Sequence, residues 1–361
     1  MMTEQKNTIA ANTGQDQAQS CIQAMKQFNM ADYYRNQFKS DVLNFKESGR
    51  LQSGFANLDA ITNLYPGLYV VGAVSSLGKT TFVHQMCEQI AESGNHVLYF
   101  SLEQSTLELA SKSIARSIAK ADAANGLSSL QVRRANPSDS RIVSAVNRCS
   151  AYSDKITVLE CSFRATINDI ANAVQSYIEE YKVKPVVAID YLQVIQPDQE
   201  MRLTVKDTID YHMKRLKELQ TDNQLTMIVI SSLNRQNYMA AIDFESFKES
   251  GGIEYTADVV WGLQLQCIHE ALFSSPNKVN EKRKRVKEAK RAVPRKIELA
   301  CLKNRFGVSS YSCQFDYYPN YDWFKPDLSN LDMEAIANNN TDTDGFMAIP
   351  AGLDSEVPWP K

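Results

Sequence analysis

Apolar residues in this chain gather into short runs separated by longer amphipathic stretches. Runs rich in β-branched residues occur at 67–74 (GLYVVGAV), 96–102 (HVLYFSL), 156–160 (ITVLE), 185–195 (PVVAIDYLQVI), 225–231 (LTMIVIS) and 257–263 (ADVVWGL). Helical patterns lie between them. In 166–181, Ile167, Ile170, Val174, Ile178 and Tyr181 mark one face behind a Thr166 cap. Strands apolar on both faces and separated by helices predict an α/β fold with a mostly parallel sheet covered on both sides. The rhythm then changes. Residues 296–303 and 308–317 read as two strands around Asn304-Arg305-Phe306-Gly307, an antiparallel hairpin at the edge.

The first apolar run leads into GAVSSLGKTT (72–81), followed by a helical pattern with Phe82, Met86 and Ile90 on one face. A strand, a small-residue loop and a helix starting at Lys-Thr are what phosphate cradling requires, because backbone N–H groups and the positive helix end then face the anion. Five residues separate Gly72 from Gly78, one more than the usual spacing. Placing Gly72 in the strand and Ala73 in the first slot restores it. The expected nucleotide contacts are Ala73, Ser75, Ser76, Leu77, Gly78, Lys79, Thr80 and Thr81, with Lys79 at the β/γ-phosphates and Thr80 on Mg²⁺. Asp190, at the end of VVAID, is expected as the second metal-side group. Many ATPases place Glu directly after this Asp, but Tyr191 follows here, so the water-positioning base is sought at the end of another strand. Glu103 in FSLEQS supplies it. An isolated strand-end Glu is more simply an edge carboxylate; the loop together with Asp190 favours the catalytic role.

Composition narrows the class. With 361 residues, 43% of them hydrophobic, there is material for a substantial core. The net charge of −3 advertises no global affinity for nucleic acid, so any such site must be local. Seven scattered cysteines without a Cys-x-x-Cys pair suit reduced thiols in a cytoplasmic protein. No apolar run reaches the roughly 18 residues of a membrane span. Residues 1–30 are polar and expected to be disordered, as is the acidic tail 327–361, leaving a folded unit at 51–326.

Six ordered segments resemble the DnaB-like helicase ATPase domain: LQSGFANLDAIT, the GLYVVGAVSSLGKTTF loop, FSLEQS, IDYLQVI, SSLNR followed by FKESGGIEYTADVV, and LKNRFG. Together they span about 51–324, and more narrowly the chain resembles the stand-alone DnaB-like proteins of phages and mobile elements. The resemblance implies a RecA-like core binding ATP and Mg²⁺, assembling into a homo-oligomeric ring, usually a hexamer, and moving 5′ to 3′ on single-stranded DNA. It implies that Lys303 and Arg305 reach the neighbouring subunit's nucleotide; without it, both read as ordinary hairpin charges. Ser232 stands where many members have Gln, which puts γ-phosphate sensing in question. Only about 50 residues precede the core, so the family's helical N-terminal domain and its primase contact are not expected. Residues 31–50 are expected to hold a linker helix with a Tyr34, Phe38, Val42, Phe45 stripe, packed on its own domain or docked on the next subunit.

The family's DNA-facing loops map onto 196–206 and 235–250, where Arg202, Lys206, Arg235, Asn237, Tyr238 and Lys248 offer phosphate donors and a stacking ring. The insertion 278–296 carries ten bases and two acids and reads either as a solvated helix or mobile loop, or as a basic arm facing DNA. The tail's DSEVPW is similar to the acidic ends by which single-stranded-DNA-binding proteins recruit replication partners. Two functions remain open at this stage, an ATP-driven helicase and a RecA-like switch such as a recombination mediator or helicase loader; an inert nucleotide-binding scaffold would need Glu103 to be idle.

Overall fold

The six apolar runs are six strands in the computed structural model, which describes residues 25, 29–48, 51–161, 164–197, 204–234, 239–247, 250–275 and 277–329. They are β1 (Gly67–Ala73), β2 (Val97–Ser101), β3 (Ile156–Glu160), β4 (Val186–Asp190), β5 (Thr226–Ser232) and β6 (Val259–Leu265). Three further strands, β7 (Arg295–Asn304), β8 (Ser312–Tyr318) and β9 (Trp323–Pro326), complete one sheet in the order β3-β2-β4-β5-β1-β6-β7-β8-β9. Pairings among β1–β6 are parallel and those from β6 outward antiparallel. The expected α/β class and antiparallel edge are both present. β9, four residues long with one Pro, has no counterpart in the hydrophobic pattern.

Side-chain alternation along β1 builds two cores. Tyr69, Val71 and Ala73 face a cluster containing the Lys79–Glu92 helix, while Leu68 and Val70 face one built on the Ile167–Tyr181 and Val205–Asn223 helices. Thr166 caps its helix as expected, accepting from the Asp169 N–H. Tyr181 departs from expectation: it stays exposed at the last turn, its ring packed on the buried Tyr177 at 4.4 Å. The run 185–195 is also not one strand. β4 stops at Asp190, the Asp190–Tyr191 peptide is cis, and the chain turns through Leu192–Val194 so that Leu192 and Ile195 reach the second core. Ile118, Leu127, Ile142 and Ala145 form a small cluster apart from these two cores.

The chain divides into two compact units, 1–50 and 51–361. In the first, the single helix expected within 31–50 is two, Met30–Asn36 and Phe38–Ser48, interrupted at Gln37. Tyr34, Phe38, Val42 and Phe45 are exposed, with the Tyr34 and Phe38 rings edge-on at 5.9 Å. Residues 1–24 and 330–361, and with them most of the proposed disordered ends, lie outside the described residues. Among the described residues the six cysteines are free thiols, and no helix is long and apolar enough to cross a membrane.

Phe82 ties the helix after β1 to the antiparallel edge. Its ring stacks on Phe55 at 4.8 Å and meets Phe315 and Phe324 edge-on at 5.4 and 5.3 Å. Phe82→Ala should therefore lower unfolding free energy by about 3–5 kcal/mol, read from the denaturant midpoint, with Phe82→Leu losing less; a loss below about 1 kcal/mol would contradict this packing role.

Candidate nucleotide-binding site

β1 pairs with β5 and β6 as far as Ala73, opposite Ser232 and Leu263, so Gly72 lies inside the strand. A Cβ on Gly72 would sit 2.4 Å from the Phe247 ring, which explains the glycine by packing rather than phosphate contact. From Ala73 the chain must turn into the Lys79–Glu92 helix within five residues. Leu77 anchors that turn in the core, Ser75 and Ser76 are exposed, and Leu77 N–H donates to Val74 C=O at 3.3 Å. Two residues adopt left-handed backbone, Ser76 at φ 68° and Gly78 at φ 87°. Such a conformation costs a non-glycine residue about 1–3 kcal/mol. At Gly78 the cost is removed, and a side chain would in any case meet the Tyr317 ring at 2.8 Å. The first-turn N–H groups behind Gly78 have no partner within the helix and carry its positive end.

Parallel pairing brings the remaining groups to the same edge. Ser101 of β2 pairs with Asp190 of β4, and Leu102 N–H donates to the Asp190 carbonyl at 2.8 Å, which places Glu103 one residue further on, exposed. Asp190 is 1% exposed; Tyr99 O–H donates to its Oδ2 at 3.1 Å, while its Oδ1 is buried without a hydrogen-bond partner. Burial pushes its carboxyl pKa upward; the Thr80 and Tyr99 hydroxyls and Lys79 pull the other way, and the Glu103 charge adds to the rise. Lys79 Nζ donates to Ser232 Oγ at 3.3 Å and lies 5.4 Å from the Tyr191 ring centre. Gln193 steadies Ser232, its Oε1 accepting from the Ser232 N–H at 3.1 Å. So the residue that replaces the family's Gln meets the loop lysine. The buried, unpartnered Asp190 Oδ1 beside the Thr80 hydroxyl fits Mg²⁺, which takes one or two protein oxygens and completes its shell with phosphate and water.

Other expected residues fall differently. The Thr81 hydroxyl is turned into the fold, donating to Asp322 Oδ1 at 3.0 Å and accepting from Lys112 Nζ at 3.2 Å, which leaves only its backbone for a phosphate. Lys303 Nζ donates to the Glu254 carbonyl at 2.7 Å, and the exposed Arg305 donates to Asp258 Oδ1 at 3.2 Å. Both stand at the opposite end of the sheet, since Asn304 pairs with Val259, which pairs with Tyr69 near the start of β1. Lys206 is exposed at the start of the Val205–Asn223 helix. Arg202, Arg235, Asn237, Tyr238 and Lys248 lie outside the described residues. The basic insertion is a helix, Val279–Arg291, and not merely solvated: Val286 and Ala289 pack on the core, and Lys290 and Arg295 touch the phosphate loop. Tyr99, Tyr317 and Arg295 are not singled out by the sequence. Two sit inside strand patterns and the third inside a charge run, where nothing in their spacing marks them.

Strand order and the loop at the end of a central β1 define a RecA-like phosphate-loop protein. The DnaB-like helicase C-terminal domain family matches residues 50–325, and the chain belongs to that family. Among curated relatives, a probable replicative DNA helicase of Trieres chinensis is 25% identical over 277 residues, 74% of this chain and 57% of its own length. The replicative DNA helicase DnaB of Haemophilus influenzae is 29% identical over 219 residues, 58% of this chain and 44% of that protein. The chain thus spans about half the length of the curated relatives it matches. Its fold is similar to that of a solved ATPase domain, with TM-score 0.63, 18% identity, and 87% and 99% of the two chains covered. A DnaB-like replicative helicase described with its interactions with primase gives TM-score 0.63 at 17% identity, covering 86% and 71%.

Asp190 is built at the expense of stability. Its folded pKa lies above the unfolded value, so the ionised carboxylate opposes folding, and the penalty grows as pH rises through the carboxylate range. Asp190→Asn should raise the melting temperature at neutral pH without nucleotide or Mg²⁺, by an amount corresponding to about 1–3 kcal/mol, and the gain should shrink towards acid pH. Equal melting of the two proteins at neutral pH would contradict a carboxylate whose ionisation opposes folding.

Proposed function

We propose that this chain is the ATP-hydrolysing motor of a DnaB-type DNA helicase, working as a homo-oligomeric ring, expected to be a hexamer, on single-stranded DNA. The observation that supports it most directly is the separation of Arg305 from the chain's own phosphate loop. They lie at opposite ends of β1, whose seven residues span about 20 Å at the strand rise. A guanidinium that takes part in phosphoryl transfer from that position must therefore serve another copy's nucleotide, which a ring supplies.

In this mechanism Lys79 neutralises charge on the β- and γ-phosphates, and the loop and helix N–H groups orient them. Thr80 and Asp190 hold Mg²⁺, which when bound supplies positive charge to the phosphate oxygens. Glu103 accepts a hydrogen bond from the attacking water and takes its proton as the bond to the γ-phosphorus forms and the bond from that phosphorus to the β,γ-bridging oxygen breaks, with ADP as the leaving group. Arg305 of the neighbouring copy, with Lys303, meets the charge that develops on the transferred group. The γ-phosphate state is read through Lys79 and Ser232. Movement runs 5′ to 3′, with the loops after β4 and β5 carrying the DNA contacts, in replication of a phage or mobile element; the acidic tail recruits a replication partner.

Forked duplexes with 5′ or 3′ tails test the reading. ATP-dependent displacement from the 5′-tailed fork alone is expected; DNA-stimulated hydrolysis without displacement on either fork would leave the switch reading in its place. Glu103→Gln should bind a fluorescent ATP analogue as the parent does and turn ATP over at least ~10²-fold more slowly, and near-normal turnover would remove Glu103 from the base role.

A further inference from the structure

The basic segment 278–296 reaches the phosphate loop. Lys290 Nζ donates to the Ser75 carbonyl at 3.3 Å and Arg295 Nη1 to the Ser76 carbonyl at 2.8 Å. We propose that Lys290 and Arg295 are positioning residues for nucleotide binding, a brace acting within one chain that holds the phosphate loop in its binding conformation.

The geometry supplies the reason. A trans peptide points its carbonyl and the following N–H to opposite sides, so a cation holding the Ser75 carbonyl directs the Ser76 N–H away from itself. Val74–Leu77 is a tight turn closed by the Leu77 N–H, and its third position, Ser76, sits at φ 68°. That position of a turn at positive φ ordinarily favours Gly. Serine there pulls the loop toward other conformations, and the Arg295 contact opposes that pull.

Both cations are themselves anchored. Arg295 pairs with Tyr317 across β7 and β8, its guanidinium 5.7 Å from the ring centre. The Tyr317 ring stacks on Phe324 at 4.2 Å and closes the space beside Gly78. Lys290 rides on a helix fixed by Val286 and Ala289 on the core, by the Arg285–Glu270 ion pair, and by Lys282 donating to the Phe273 carbonyl at 2.9 Å. The antiparallel edge thus reaches the loop on two sides, at Ser76 through Arg295 and at Gly78 through Tyr317.

The proposal rests on the nucleotide-binding part of the proposed function, and the test separates the two. Affinity for a fluorescent ATP analogue with Mg²⁺, and kcat and KM for ATP, are measured on the full chain. Arg295→Ala and Lys290→Ala should each weaken nucleotide binding and raise KM about tenfold, the size of a lost charged hydrogen bond, with kcat at saturation nearly unchanged. Arg295→Lys should recover part of the loss. The decisive arm uses Ser76→Gly as its own reference, because glycine adopts positive φ freely; measured against Ser76→Gly alone, adding Arg295→Ala should cost no more than about threefold. An equal loss in both backgrounds would mean that Arg295 contacts nucleotide directly and would overturn the brace. Unchanged nucleotide affinity, with a single-stranded-DNA salt slope reduced by about 0.7 per lost contact, would overturn it in favour of a DNA-facing arm. A parent chain that binds no nucleotide would refute the binding reading itself, whereas variants that bind like a competent parent refute only the brace. Should Arg295→Ala fail to fold by circular dichroism, Arg295→Lys and Lys290→Gln carry the same comparison.

Discussion

The turn at the end of β1 is the constraint on which the site depends. A fully buried strand, paired on both sides, must give way within five residues to a helix whose positive end faces outward. That reversal forces left-handed backbone at Ser76 and Gly78. The neighbours can be understood as answers to it: Leu77 seated in the core, Tyr317 against Gly78, the Phe82 cluster behind the helix, and carbonyl contacts from Lys290 and Arg295. The same backbone that is expensive to form leaves a row of N–H groups and a helix end for an anion.

The sheet then allots chemistry to its two ends. β1, β2, β4 and β5 run in parallel, so Lys79, Thr80, Glu103, Asp190 and Ser232 gather at one edge although they are spread over about 150 residues of sequence. The antiparallel return through β7 carries Lys303 and Arg305 to the other edge, where a hydrogen bond and Asp258 hold them meanwhile. Asp258 also pairs with Lys217, and its Oδ2 accepts from Leu68 N–H at 2.8 Å. The resting position of Arg305 is therefore tied to the root of the strand whose far end bears the loop.

Much of this was legible because the signals are local. Six buried strands show themselves as six β-branched runs, the phosphate loop by its Lys-Thr after a strand, and Thr166 by its cap spacing. Asp190 and Glu103 were legible as polar residues ending apolar strands. What escaped depends on partners distant in sequence. Tyr99 looks like any strand aromatic until β4 places Asp190 beside it. Thr81 looks like a phosphate ligand until Asp322, 241 residues away, claims its hydroxyl. The basic run has too few apolar residues to predict a packed helix, yet Val286 and Ala289 suffice to seat it by the loop. The break at Gln37 left no mark in the hydrophobic pattern either.

The central claim, a site completed by a second copy, is tested most directly by mixing two inactive proteins. Lys79→Ala lacks a working loop but keeps Arg305, whereas Arg305→Ala keeps the loop and lacks the guanidinium. Subunit exchange is first confirmed by energy transfer between labelled copies, and ATP turnover is then followed as the two are combined. Interfaces pairing an intact loop with an intact Arg305 should restore activity well above either parent, since such a group contributes on the order of 10³–10⁵ in rate. A mixture that exchanges freely and remains no more active than its parents would contradict catalysis across copies.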